Sequence, residues 1–367
     1  MGAACSSTQR VSTPLPATTS SAVTSSEVVP KVQGTKHRPS SGAPDANGKA
    51  EAAEGAGAEM PPPFTPETAL LAEHTRLLAA AGAKVVAAPR VGPSAITADD
   101  ALIVVDMQND FVPAKDAPLG GRFAVPEGAT ASKLCVKLID AFSAAGAKII
   151  ASKDYHPDGH CSFMERGGPF PPHCVQGSPG SQFFPEIAAA IKKAKEKSGH
   201  DFHLVHKGFH EDIESFGSFP YIVEQIESRR ISCADKGCCP LWTGGFELKC
   251  SNAKADVDAP PDILSILEER RRTMQAVMDE GWKKGDPLER RIFVCGLAMD
   301  FCCLDTLVNA GRVGYKNLHL VMDATRPAHI PGLGQHGTGF LTDPKEMMEL
   351  LNKAGVTLVN AAAIGLK

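Results

Sequence analysis

The sequence lacks any apolar run that approaches the roughly 20 residues needed to span a bilayer. Its amino end shows no apolar core of a secretory signal peptide. It also lacks a block of basic residues, and 38 basic against 42 acidic residues give a formal net charge of −4. These absences argue against a membrane-spanning, a secreted or a nucleic-acid-binding protein, and they favour a cytoplasmic location.

Aromatic residues are missing from residues 1–63, which are instead rich in Ser, Thr, Pro, Ala and Gly. Such a segment cannot bury enough apolar surface to offset the entropy lost on ordering, so we expect a disordered tail. The next stretch, "PETALLAEHTRLLAAAGA" (66–83), predicts a helix within an N-terminal helical extension over 64–98.

The eleven cysteines form no regular disulfide framework, and we expect most of them to be reduced thiols. Four of them lie in one loop-like stretch, namely Cys233, Cys238, Cys239 and Cys250. Their spacing fits no standard zinc motif, although a structural zinc there stays an alternative.

From residue 101 onward, short apolar runs alternate with helical patterns. The runs are "ALIVVD" (101–106), "KIIASKD" (148–154), "FHLVHK" (202–207), "RIFVCG" (291–296), "NLHLVMDA" (317–324) and "VTLVNAA" (356–362). This alternation predicts an α/β domain over 99–367, with a doubly wound, mainly parallel six-stranded sheet and helices on both faces. Residues 221–290 interrupt the alternation and predict an inserted lobe.

Polar residues follow several of these strands, where open α/β sheets bind their ligands. They are Asp106, Asp154 with His156 and His160, Lys207 and Cys302. A thiol at a helix start can be activated by the helix dipole, a lysine and a carboxylate, whereas Asp and His residues can bind a divalent metal.

The adjacent cysteines Cys302 and Cys303 differ in their helical environment. Cys303 shares a stripe with Leu307 and Ala310, which should pack on the sheet. Cys302 shares the other face with Thr306 and Asn309. The pattern therefore predicts that Cys302 is the reactive thiol and Cys303 the structural one.

Four blocks together resemble the nicotinamidase/pyrazinamidase branch of the isochorismatase-like cysteine hydrolases. They are "ALIVVDMQNDF" (101–111), "SKDYHPDGHCSF" (152–163) with "PFPPHCVQGSPGSQF" (169–183), "HKGF" (206–209) and "GLAMDFCCLDT" (296–306). The resemblance implies a general base at Asp106, a catalytic lysine at Lys207 and a nucleophile at Cys302. It also implies an oxyanion hole from the N–H groups of Ala298 and Cys302, with a cis Leu297–Ala298 peptide.

The resemblance further implies one divalent metal ion, held by Asp154, His156 and His173. His160 aligns with a histidine that binds the metal in only some members. Zinc is the expected metal, with iron and manganese as alternatives, since these ligands suit all three. Phe111 and Phe170 are expected to line the substrate pocket, and Phe170 stands where the family often has tryptophan.

The implied activity is hydrolysis of the small molecule nicotinamide to nicotinate and ammonia, a step of pyridine nucleotide salvage. One alternative is another amidase of the superfamily, acting on a ureido or carbamoyl substrate. A second is a non-enzymatic, membrane-tethered metal-binding scaffold. The sequence is also compatible with a homo-oligomer.

The first six residues, "MGAACS", match the N-myristoylation pattern with Gly2 as the acceptor. Cys5 lies where a second, palmitoyl chain would provide the two signals that stable anchoring requires. The sequence therefore predicts peripheral attachment to the cytoplasmic face of a membrane, with the tail as a tether. A chance match in a Ser/Ala-rich segment is the alternative.

Overall fold

The computed structural model describes residues 69–86, 96–197, 202–208, 211, 214–219, 274–334 and 337–366. The predicted tail over 1–63, with Gly2 and Cys5, lies outside these residues, as does most of the predicted lobe with its four cysteines. The division of the chain into tail, extension and lobe therefore stays a prediction. No helix within the described ranges is both long and apolar enough to cross a bilayer.

The described residues form one sheet of seven parallel strands in the order β1-β7-β6-β5-β2-β3-β4. The strands are β1 (Val85–Val86), β2 (Ala101–Val105), β3 (Lys148–Asp154), β4 (Phe202–Lys207), β5 (Arg291–Leu297), β6 (Asn317–Arg326) and β7 (Thr357–Val359). The central strands β2 and β3 are buried along their whole length, as their continuous apolar character requires.

Six α-helices of the described chain accompany the sheet. They are α1 (Ala69–Ala80), α2 (Gly128–Ala145), α3 (Pro185–Glu196), α4 (Met274–Asp279), α5 (Leu304–Val313) and α6 (Pro344–Lys353). Local sequence sets their ends: Asp343 caps α6 by accepting a hydrogen bond from the N–H of Lys345, and Gly146 ends α2 in the left-handed conformation.

A hydrophobic core lies on each face of the sheet. Residues of α2 and α3, such as Phe142 and Ile187, pack in one core. Residues of α1, α5 and α6, such as Leu78, Leu307 and Met347, pack in the other. This two-sided arrangement confirms the predicted doubly wound α/β fold.

The structure differs from the prediction at the start of the domain. Seven strands replace the predicted six, because Val85–Val86 pairs with β7 and adds an edge strand. This strand lies in the segment predicted to be a helical extension, and two residues are too few to show any periodicity. The helix expected over 66–83 is described over 69–80.

Gly296 allows β5 to approach β2 at the edge that carries the site. Its φ is +110°, and a Cβ atom on this residue would overlap with the carbonyl oxygen of Val105. Only glycine satisfies both constraints without a shift of the backbone. The glycine thus fixes the position from which the chain enters the Cys302 turn.

Candidate active site and metal centre

The carboxyl edge of the sheet brings three charged residues together. Asp106 directly follows β2, whereas Asp154 and Lys207 end β3 and β4. β3 lies between β2 and β4, and the register pairs Asp154 with Lys207. All three side chains are buried. The parallel topology therefore places three residues that are far apart in the sequence in one compact charged group.

Lys207 lies at the centre of this group. Its Nζ atom is 2.8 Å from Oδ2 of Asp106 and 3.5 Å from Sγ of Cys302. It also forms an ion pair with Oδ1 of Asp154. The hydroxyl of Ser152 donates a 2.8 Å hydrogen bond to Oδ1 of Asp106. One lysine thus connects two carboxylates to the thiol.

Burial and charge set the protonation of the group. Burial raises the pKa of Asp106 to about 6, against the opposing charge of Lys207. Burial opposes the charge of Lys207, yet the two carboxylates raise its pKa well above the usual value. Burial likewise raises the pKa of Cys302. At neutral pH the group therefore consists of a thiol, a lysinium ion and carboxylates, with Asp106 available to accept a proton.

The segment that carries Cys302 is a π-helical turn, Met299–Cys303, rather than the first turn of an α-helix. It follows the cis Leu297–Ala298 peptide and leads directly into α5. Asp300 holds the turn in place by accepting a 2.7 Å hydrogen bond from the N–H of Ala328. Insertion of a π turn at a functional residue is a recurrent feature of helices.

The turn separates the two adjacent thiols. Cys302 is 5% exposed and lines the pocket, whereas Cys303 is 0% exposed and lies in the core, 3.8 Å from the hydroxyl of Thr325. Thr306 and Asn309, on the face predicted for Cys302, are also fully buried. The side-chain amide of Asn309 donates to the carbonyl of Phe219, so this residue covers part of the face.

Asp154, His156 and His173 form a cluster suited to a metal ion. Oδ2 of Asp154 lies 3.5 Å from Nε2 of His156 and 3.8 Å from Nε2 of His173. One donor atom from each residue falls within 4.8 Å of the others. Lys207 and the two histidines hold the pKa of Asp154 below its usual range despite burial, so this oxygen is anionic. One oxygen of the carboxylate thus pairs with Lys207, and the other faces the two histidines.

The tautomers of both histidines fit metal binding. Nδ1 of His156 lies 2.7 Å from the carbonyl of Gly208, and Nδ1 of His173 lies 2.8 Å from the carbonyl of Pro171. A carbonyl can only accept, so each Nδ1 carries a proton and each Nε2 is the ring atom available to a metal ion. Burial opposes the charge of His156, yet the carboxylates of Glu214 and Asp154 raise its pKa. Nε2 of His156 is buried with no hydrogen-bond partner in the described chain. Burial lowers the pKa of His173 to about 4, so its ring is neutral.

His160 lies beside His156, with ring centroids 4.2 Å apart, and its Nδ1 is 2.8 Å from the hydroxyl of Ser162. It belongs to a second donor group with His156 and Glu214. Glu214 is buried, and its Oε2 lies 3.9 Å from Nδ1 of His160. Sequence reasoning missed Glu214 because it lies in an irregular charged stretch, "HEDIES", without periodicity.

A small pocket opens beside Cys302. Phe111 and Phe170, both expected in its wall, line it. Three further rings that the sequence did not suggest also line it, namely Phe123, Phe216 and Phe301. Its polar lining among the described residues comes from Asp154, His173, Glu214 and Cys302. The lining is therefore largely aromatic, with its polar groups near the thiol.

Comparison with known proteins finds similar sequences and structures. Residues 100–201 match the family model described as the isochorismatase domain. The chain is 26% identical to the nicotinamidase of Escherichia coli (strain K12) over 245 residues, which cover 63% of this chain and 84% of that protein. It is 38% identical to the nicotinamidase/pyrazinamidase of Mycobacterium tuberculosis over 97 residues, 26% of this chain and 48% of that protein.

Among solved structures, the chain is similar to the pyrazinamidase of Pyrococcus horikoshii in complex with zinc. The match has a TM-score of 0.41 and 23% identity, and it covers 71% of this chain and 99% of that one. The family match covers the strands next to which Asp106 and Asp154 lie. Residues 100–201 therefore carry the match to the isochorismatase domain, and the sequence relatives of the chain are nicotinamidases.

Proposed function

We propose that this protein is a nicotinamidase, an amidohydrolase that converts nicotinamide to nicotinate and ammonia in pyridine nucleotide salvage. The observation that carries the proposal is the contact of Lys207 with both Asp106 and Cys302 beside the Asp154–His156–His173 cluster. The names of the sequence relatives support the same substrate. Related amidases without a metal would not need two histidines with their Nε2 lone pairs left available.

In the proposed reaction, the thiol of Cys302 attacks the carboxamide carbon while its proton passes to Asp106. Lys207 stabilises the developing negative charge of the sulfur. The tetrahedral adduct collapses, the C–N bond breaks, and the proton held by Asp106 leaves with the amine as ammonia. Water, deprotonated by Asp106, then attacks the thioester, and nicotinate and the Cys302 thiol are released.

The carboxamide oxygen becomes an oxyanion in both steps. We propose that the backbone N–H groups of Ala298 and Cys302 bind it, since both residues line the pocket at the π-helical turn. Donors fixed before the reaction stabilise such charge most effectively because they need no reorganisation. The cis Leu297–Ala298 peptide lies at the start of this turn.

We further propose that Asp154, His156 and His173 hold one divalent ion, zinc being our choice and iron or manganese the alternatives. When bound, the ion supplies a Lewis acid for the nitrogen of the pyridine ring. His160 and Glu214 lie beside His156 and form a second donor group with it. Phe111 and Phe170 pack against the ring of the substrate and orient its carboxamide toward Cys302.

Release of ammonia from nicotinamide by the purified protein tests the function directly. We expect turnover that is lost after dialysis against a strong chelator and restored by Zn²⁺, Fe²⁺ or Mn²⁺. Benzamide has the same carboxamide but no ring nitrogen, so we expect it to be a much poorer substrate. Equal turnover of both amides, unaffected by chelator, would contradict the metal's role, and no release from either would contradict the amidase itself.

We also propose that Gly2 and Cys5 are acylated and attach the enzyme to a membrane, with residues 1–63 as the tether. The "MGAACS" motif supports this proposal. In cells of the native host, the protein is expected in the membrane fraction, and a Gly2→Ala variant in the supernatant. Mass spectrometry of the N-terminal peptide is expected to show the acyl groups. An unmodified peptide with both forms in the supernatant would disprove attachment.

A further inference from the structure

Residues 107–110 connect the proposed base, Asp106, to Phe111 in the wall of the pocket. Asp106 precedes this segment and Phe111 follows it. The side chains of Gln108 and Asp110 are nonetheless buried and do not line the pocket. Gln108 contacts the backbone of Asp154 at the end of β3, and Asp110 contacts the backbone of the loop that carries His173.

Gln108 binds the backbone of Asp154 at both polar groups. Its Oε1 accepts a 2.9 Å hydrogen bond from the N–H of Asp154, and its Nε2 donates a 2.7 Å bond to the carbonyl of the same residue. Nε2 also donates to the carbonyl of Ser181 at 2.9 Å. The side chain is fully buried, so all three bonds are shielded from water. The amide thus fixes the peptide groups on either side of this ligand.

Asp110 performs the corresponding role beside His173. Its Oδ2 accepts a 2.8 Å hydrogen bond from the N–H of Cys174, the residue that follows this ligand. Cys174 has a φ of +46°, a left-handed conformation that non-glycine residues rarely adopt. Gly180 packs so closely on the Asp110 carboxylate that any Cβ atom there would overlap with it. The carboxylate therefore stabilises an unfavourable backbone conformation next to the ligand.

We propose that Gln108 and Asp110 are positioning residues for the metal site, one fixing Asp154 and the other fixing His173. This inference rests on the metal site proposed above. A ligand held in place before the ion arrives loses less conformational freedom on binding, so affinity rises. The same short segment thus connects the proposed base, two metal ligands and the pocket wall.

Zinc affinity of the full-length protein tests the proposal, measured by competition with a chromophoric chelator. Gln108→Met preserves volume but removes three hydrogen bonds, and Asp110→Ala removes the acceptor for Cys174. Each is expected to weaken Zn²⁺ binding by about 10- to 100-fold, the effect typical of residues that orient metal ligands. The visible spectrum of Co²⁺ bound at the site is expected to change in both variants.

Asn109→Ala is the matched control, since Asn109 lies between the two residues and donates a 2.9 Å bond to the carbonyl of Pro179. It is expected to lower the melting temperature without changing Zn²⁺ affinity or the Co²⁺ spectrum. Asp110→Asn keeps one acceptor for the N–H of Cys174 and is expected to recover most of the affinity. If Asp110→Ala does not fold, Gln108→Met decides.

Two negative results have different meanings. Wild-type affinity and spectrum in Gln108→Met and Asp110→Ala would overturn the positioning role and leave the proposed metal site intact. A wild-type protein that binds no Zn²⁺ in the same titration would overturn the metal site, and the inference with it. Equal weakening by Asn109→Ala would show a general loss of structure and also overturn the positioning role.

Discussion

Replacing Cys302 with alanine is expected to lower nicotinamide turnover by about four orders of magnitude or more, because covalent catalysis then has no nucleophile. Replacing the adjacent Cys303 is expected to leave turnover close to that of the wild type. Cys303 lies in the hydrophobic core, fully shielded from solvent, and makes no contact with the pocket. Its loss should instead lower the free energy of unfolding by about 1 kcal/mol.

The comparison requires single-turnover kinetics and chemical denaturation on both variants. Cys302→Ala is expected to fold with wild-type stability, since the change removes one sulfur atom at the pocket surface. Mass spectrometry after a quench should show the thioester on the peptide that contains Cys302. Turnover that survives Cys302→Ala and disappears in Cys303→Ala would reverse the assignment.

Replacing Lys207 with methionine is expected to abolish turnover and also to destabilise the fold by about 3–5 kcal/mol. The lysinium ion is buried between Asp106 and Asp154, so its removal leaves two carboxylates close together in a medium of low dielectric constant. Protonation of one carboxylate relieves their repulsion. The pKa of that group is then higher in the folded than in the unfolded chain, and the stability deficit should shrink as the pH falls from 8 to 5.

Urea denaturation of the chelator-treated protein across this pH range measures the effect. Lys148→Met is the matched control, since Lys148 is equally buried but lies at the opposite end of β3, with its Nζ 3.2 Å from Nε2 of His203. That variant is expected to retain turnover. A Lys207→Met protein as stable as the wild type at pH 8 would contradict the assigned charge balance.

Six strands and the polar residues at their ends were predictable because the length of an apolar run, and its place along the chain, can be read directly from the sequence. Asp106, Asp154 and Lys207 each follow or end a predicted strand, and the parallel topology alone brings them to one edge. The contact between Lys207 and Asp154 was not predicted, since it depends on which strands are neighbours. A sequence states the order of strands along the chain and leaves their order in the sheet open.

The remaining features depend on irregular segments that have no periodicity. Glu214, Phe216 and Phe123 enter the site from loops, where neither a 2.0 nor a 3.6 repeat gives a signal. The burial of Asn309 likewise could not be predicted, because a segment about 90 residues earlier covers it. The π-helical turn at Cys302 changes the angle per residue, which an α-helical projection cannot anticipate.

The shared carboxylate of Asp154 has a thermodynamic consequence for the enzyme. One of its oxygens pairs with Lys207 and the other faces the two histidines proposed as metal ligands. A cation bound at the histidines weakens the attraction between the Asp154 carboxylate and the lysinium ion. Loss of the proton of Lys207 in turn makes the carboxylate a stronger ligand. By reciprocity the two effects have equal free energy. Occupancy of the proposed metal site and the ionisation of the group around Cys302 are therefore expected to form one linked equilibrium, and either can be read from a titration of the other.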